Sequence, residues 1–122
     1  MNGLIQGLIG AGLAAMALIA RAEGFPEGAT VPAAAEIKQY LDDKVFNVKN
    51  ADDNTWNMAY KSDGTVVVNP TRGPVYYGYW AGEDGKLCGQ RRGQAKSCND
   101  VRMHQGVLHL KRDNGQIIMF TP

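Results

Sequence analysis

The side chains of this sequence whose types could do chemistry gather in "CGQRRGQAKSC", residues 88–98. Cys88 and Cys98, the chain's two cysteines, bracket Arg91, Arg92 and Lys96. Two thiols can pair, ligate a metal or supply a nucleophile, and three cations can hold a carboxylate or phosphate. A zinc site would have to join Cys88 and Cys98 to His104 and His109, across a cysteine spacing wider than the about two to four residues of zinc knuckles. No metal is therefore expected. Pairing of the cysteines would consume the nucleophile, so no catalytic thiol is expected either. What remains is a disulfide between Cys88 and Cys98, stapling neighbouring strands, with Arg91, Arg92 and Lys96 presented at the tip as a binding finger for an anionic group. His104 and His109 flank Gln105-Gly106 and face one another as hairpin histidines.

A second cluster is "PVYYGYWAG", with Tyr76, Tyr77, Tyr79 and Trp80 inside five residues. In a strand, alternation sends Tyr77 and Tyr79 to one face and Tyr76, Gly78 and Trp80 to the other. One set fills a core, and the other is a ligand or partner surface. If the sheet curls, Trp80 and Trp56 line an apolar cavity. The parts of familiar enzymes are missing from the sequence: it holds no G-x-S-x-G, no H-E-x-x-H and no phosphate-binding glycine loop. The paired acids Asp42-Asp43 and Asp52-Asp53 fit turns and solvated ends better than a catalytic pair. The expectation is a non-catalytic protein with no cofactor.

These clusters need elements to hold them. The opening "MNGLIQGLIGAGLAAMALIA" carries no charged side chain and runs into "RAEG", so residues 1–22 read as a secretory signal with cleavage before Glu23. The alternative is an uncleaved membrane anchor over residues 3–20, which would make the chain an accessory subunit of a membrane complex. Export supplies the oxidising setting in which two cysteines pair, so the periplasm or the exterior is the expected location. The chain has thirteen Lys and Arg against twelve Asp and Glu. Without Arg21 the remainder is balanced at twelve of each, and that neutrality argues against nucleic-acid binding. A protein or small ligand is the expected partner.

Residues 23–32 read as a flexible, turn-prone lead, and 33–122 as one domain. "VPAAAEIKQYLDDK" has helical spacing at Ala34, Ile37 and Leu41, with Pro32 at the first helical position and Thr30 or a neighbour as cap. From Val45 the period changes to two, through eight short apolar segments. Asp63-Gly64, Asp84-Gly85, Gln105-Gly106 and Asn114-Gly115 separate several of them as tight turns. The fold class expected is mainly β: an antiparallel meander of about seven or eight strands curling into a barrel or half-barrel, with one short N-terminal helix. Gly73, Gly78 and Gly89 are placed as bulges that permit the bend.

At "YKSDGTV", "YYGYWAGEDGKLC" and "GVLHLKRDNGQIIMF" the chain resembles a loose group of small exported proteobacterial domains of unknown function. In that group a helix is followed by a "DG" hairpin, a G-x-W…DG…C…C segment and a closing hairpin. The likeness covers residues 33–122 and implies a small exported domain, with no activity attached.

Overall fold

Alternation from Val45 onward yields eight strands, and their pairing in sequence order decides the shape. The computed structural model describes residues 24–50 and 54–122. Helix α1 (Ala34–Leu41) leads into β1 (Lys44–Lys49), β2 (Thr55–Tyr60), β3 (Thr65–Pro70) and β4 (Tyr76–Glu83). Then follow β5 (Lys86–Arg91), β6 (Ser97–His104), β7 (Val107–Lys111) and β8 (Ile117–Phe120). Each strand pairs antiparallel with the next, in the order β1 to β8. The first and last strands then meet: Asn47 N–H donates to Thr121 O at 2.7 Å, and Thr121 N–H to Asn47 O at 3.2 Å. The expected meander is thus a nearly closed barrel, and its edges are largely consumed.

One end of the barrel is plugged. Ile37 and Leu41 of α1 are wholly buried and join Phe46, Tyr60, Leu108 and Phe120 in the core. Phe46 is the hub, with its ring 5.2 Å from Tyr40, 6.2 Å from Tyr60 and 6.1 Å from Phe120. Fully burying side chains of this size is worth about 1.5–3 kcal/mol each, enough to hold an eight-residue helix that would be marginal alone. The Tyr40 hydroxyl donates to Phe120 O at 2.7 Å, and Lys38 Nζ reaches Ser62 O at 3.4 Å in the β2–β3 turn. Gly82 of β4 lets the helix approach, since a Cβ there would stand 3.1 Å from Ile37 Cγ2 and 3.2 Å from Ala34 O.

The helix start differs from the expectation. Neither Thr30 nor another nearby side chain caps it; Asp84 Oδ1, from the β4–β5 turn, accepts the Ala34 N–H at 2.9 Å. Thr30 instead exchanges backbone bonds with Met103 of β6, at 2.8 and 2.9 Å. Pro32 lies outside the helix, fully buried, and its carbonyl accepts from Gly85 N–H at 2.8 Å. The lead expected to be flexible is therefore tied into the sheet from Thr30 onward, because an added bridge satisfies both its backbone and that of β6. The glycine bulges differ as well: Gly78 and Gly89 are regular paired positions, opposite Arg91 and Trp80, and Gly73 sits between β3 and β4 with φ of 105°. At Gln105-Gly106 both residues have positive φ, 50° and 78°, as a two-residue hairpin turn requires.

The signal or anchor assigned to residues 1–22 lies outside the described residues. Among the described residues no helix is long and apolar enough to cross a membrane.

Candidate functional site

The plug fills only part of the barrel, because the inward side chains shrink along the strands away from α1. On β1 the inward pair is Phe46 then Val48, and on β2 Tyr60 gives way to Met58. Across β4 and β5 the inward positions beyond Trp80 and Leu87 are Gly78 and Gly89. Small residues in this second layer leave a cavity of about 590 Å³, within the range of small-molecule sites. Its wall is mixed: Val48, Val68, Leu110, Ile118 and the inner rings give apolar surface, and Ser97, Asn99 and the residues of the rim give polar surface.

At its floor, Trp80 and Tyr60 meet edge to face at 5.3 Å, and the indole N–H is already committed to Lys61 O at 2.9 Å. The Tyr60 hydroxyl is less well served. It is buried, and its one proton goes to the Met58 sulfur, a weak acceptor, at 3.9 Å. Burial holds its pKa well above the usual phenol value, with the Tyr76 phenol adding to the shift.

The rim is where charge appears. Arg91, the last residue of β5, lies opposite Gly78, and its guanidinium carbon stands 3.9 Å from the centre of the Tyr76 ring. Gly78 is needed there: a Cβ on it would approach Gln90 O to 2.6 Å. Arg112 also borders the cavity; it lies over Trp56 at 5.5 Å, and its Nη1 donates to Gln116 Oε1 at 3.2 Å. Two guanidinium groups thus share one cavity mouth, each rested on an aromatic face that limits its motion. One carboxylate, Asp113, shares the rim, and its Oδ1 accepts from Asn99 Nδ2 at 3.1 Å. The loop between them is internally braced, with Gln94 N–H donating to Arg91 O at 2.9 Å and Gln90 Nε2 to Gln94 O at 3.0 Å.

The barrel wall divides the residues singled out in the sequence. Tyr76, Trp80 and Arg91 belong to the lumen and its mouth. Tyr77 and Tyr79 point outward, 55% and 52% exposed, and with Arg92 and Val67 flank a shallow outer groove of about 180 Å³. Lys96 joins neither group; its Nζ lies 3.4 Å from Glu83 Oε2, both side chains being half exposed.

Cys88 and Cys98 sit directly opposite one another on β5 and β6 and are joined, with Cα atoms 3.9 Å apart. They alternate with the lumen-lining Gly89 and Ser97, so the staple lies on the outer face, with Cys88 opposite Ala81 and at the base of the segment that carries Arg91. Among the described residues the one grouping with metal-ligand spacing is Glu83 with these two sulfurs, which are already bonded to each other. His104 and His109 do face one another, with ring centres 5.8 Å apart, but His109 is buried and bonds Val107 O at 3.0 Å. They stand apart from the cysteines.

Sequence reasoning did not single out Arg112 or Tyr60. The signal for both was period two: Arg112 continues the inward positions Leu108 and Leu110, and Tyr60 continues Trp56 and Met58. Comparison of the chain with models of protein families, with curated proteins and with solved structures finds no match.

Proposed function

We propose that this protein is a non-catalytic, exported binding module that takes a small, largely apolar molecule into its barrel. The observation that carries the reading is the cavity of about 590 Å³, open at the end away from α1 and rimmed by two ring-stacked arginines. Small barrels whose inner layer is not filled by side chains hold ligands in this way. Binding is favoured over catalysis by the lining, which offers one carboxylate, Asp113, already engaged by Asn99, and no histidine among the described residues. Export is supported by the joined cysteines and by the apolar, uncharged first twenty residues.

The test is titration with the neutral apolar fluorophore N-phenyl-1-naphthylamine, read by energy transfer from the tryptophans. Saturable one-to-one binding is expected. Gly89→Leu, which projects a side chain into the lumen from a position where a Cβ meets nothing closer than Tyr79 O at 3.8 Å, should abolish it while the circular dichroism is unchanged. Absence of saturation in the unmodified protein, or indifference to Gly89→Leu, would reject the reading. Native export predicts a mature terminus at Glu23 and no titratable thiol in a periplasmic extract.

A further inference from the structure

The chemistry of the cavity is graded from end to end, and that gradient describes a ligand. We infer that the occupant is a single-chain amphiphile with an anionic head, its chain lying along the lumen and its carboxylate or phosphate held between Arg91 and Arg112. The inference rests on the lumen being a binding cavity, and it adds the class of molecule bound.

Three observations carry it. Below the rim Val48, Val68, Leu110, Ile118 and the inner rings offer an apolar track, with Ser97 and Asn99 on the β6 side, and an apolar chain is suited to that track. At the rim, among the described residues, neither Arg91 nor Arg112 has a carboxylate in salt-bridge contact; their partners are ring faces, a glutamine oxygen and solvent. Each guanidinium lies over a ring and keeps N–H groups for the oxygens of a carboxylate or phosphate, although one of those of Arg112, on Nη1, already donates to Gln116 Oε1. Among the described residues that line the cavity, the pair outnumbers the single carboxylate, Asp113, by one positive charge. A cationic head is disfavoured there, and a neutral one leaves both forks to water.

The depth of the lumen limits the chain. From Tyr76 at the rim to Trp80 at the floor is four residues of β4, roughly 13 Å along the strand and about 10 Å along the axis of a barrel with ordinary strand tilt. At about 1.3 Å of advance per bond of a zigzag chain, that admits on the order of eight carbons below the head.

The experiment uses the exported, disulfide-bonded protein and displaces N-phenyl-1-naphthylamine with four ten-carbon ligands: decanoate, decyl phosphate, decanol and decylammonium. Decanoate or decyl phosphate should bind at least about tenfold tighter than decanol, and decylammonium weaker than decanol. Whichever anion leads identifies the head. Arg91→Gln with Arg112→Gln should bring the anions to within about twofold of decanol, because the charge-assisted bonds are lost; the readout is the ratio of anion to decanol affinity in the same variant, with circular dichroism to show that it is folded. If naphthylamine binds but decanol equals the anions, or if the double variant keeps their advantage, the head-group assignment is overturned and the cavity reading survives. If naphthylamine does not bind at all, both fall together.

Discussion

The two ends of this barrel are made from the same eight strands with the same alternation, yet one is packed and the other is hollow. At the closed end α1 lies across the strands, Phe46, Tyr60 and Phe120 interlock beneath it, and the turns at Asp84-Gly85 and Gln105-Gly106 are as short as hairpins allow. At the open end no helix crosses among the described residues, and the layer below Trp56 and Tyr76 includes Val48, Val68, Gly78 and Gly89. Arginines take the place that α1 occupies below. The difference teaches that a small barrel is filled or hollow according to two choices: residue size in each inward layer, and what covers each mouth. Stability and binding are thereby assigned to separate layers of one wall.

The strongest way to break that division is to remove its hub. Phe46→Ala should cost about 3–5 kcal/mol in a urea or guanidinium transition, since the ring is wholly buried among three other rings. Val48→Ala, two residues nearer the mouth, should cost clearly less, because the atoms removed already border a cavity. Equal losses at the two positions would mean that the ends do not differ in packing.

The staple tests the same division from outside. Cys88→Ser with Cys98→Ser removes a cross-link of sequence separation 10, worth about 3 kcal/mol by chain-entropy reasoning. Because the bond lies at the base of the segment that carries Arg91, faster amide exchange should concentrate in residues 89–97 and spare Phe46 and Leu108. Uniform acceleration across both ends would deny the staple any special hold on the mouth.

The close contact of Gly82 with the helix should matter more than the open surroundings of Gly89 in the hollow layer, whereas Gly78, whose Cβ would stand 2.6 Å from Gln90 O, is tight at the mouth. Gly82→Ala drives a Cβ against Ile37 and the Ala34 carbonyl and should cost about 1–3 kcal/mol in thermal melts. Gly89→Ala places its Cβ no nearer than 3.8 Å to Tyr79 O and should be close to neutral. A reversal of that order would put the tight layer at the wrong end.

Much of the division was legible in the sequence, and what escaped did so for identifiable reasons. Alternation such as Trp56, Met58, Tyr60 against Thr55, Asn57, Ala59, with Asp-Gly and Asn-Gly turns between segments, is local, and all eight strands follow from it. The faces of β4 were equally readable, and Tyr77 and Tyr79 do point away from Tyr76 and Trp80. The cap of α1 was not, because Asp84 is fifty residues from Ala34 and only the folded barrel brings them together. The loop is shorter than the cysteine spacing suggests: β5 runs on to Arg91, which lines the lumen, while Arg92, in the turn that follows, lines the outer groove. Arg112 escaped because a single arginine after a strand carries no local mark of the Trp56 ring that receives it.

The floor of the cavity offers a pH test that distinguishes the layers. The Tyr60 phenol is held above its usual value chiefly by burial, so the folded protein keeps the proton that the unfolded chain releases above about pH 10. Stability should be unaffected below pH 10 and fall by about 1.4 kcal/mol for each further pH unit, until the folded-state value is reached. Tyr60→Phe should remove that part of the alkaline loss. A slope unchanged in Tyr60→Phe, measured by denaturant transitions at pH 9 and above, would place the phenol in contact with water.

The smallest expected effect on stability is at the rim, and there the smallness is the point. Arg91→Gln or Arg112→Gln removes a guanidinium from a ring face at a solvent-facing position, worth at most about 1 kcal/mol in the melting transition. A side chain that costs entropy to hold in place, contributes little to folding and stands at the mouth of the cavity is better explained by what it meets from outside than by what it supports. If either substitution cost as much as Gly82→Ala, the arginines would be part of the wall's own packing, and the contrast between a structural end and a receptive end would have to be redrawn.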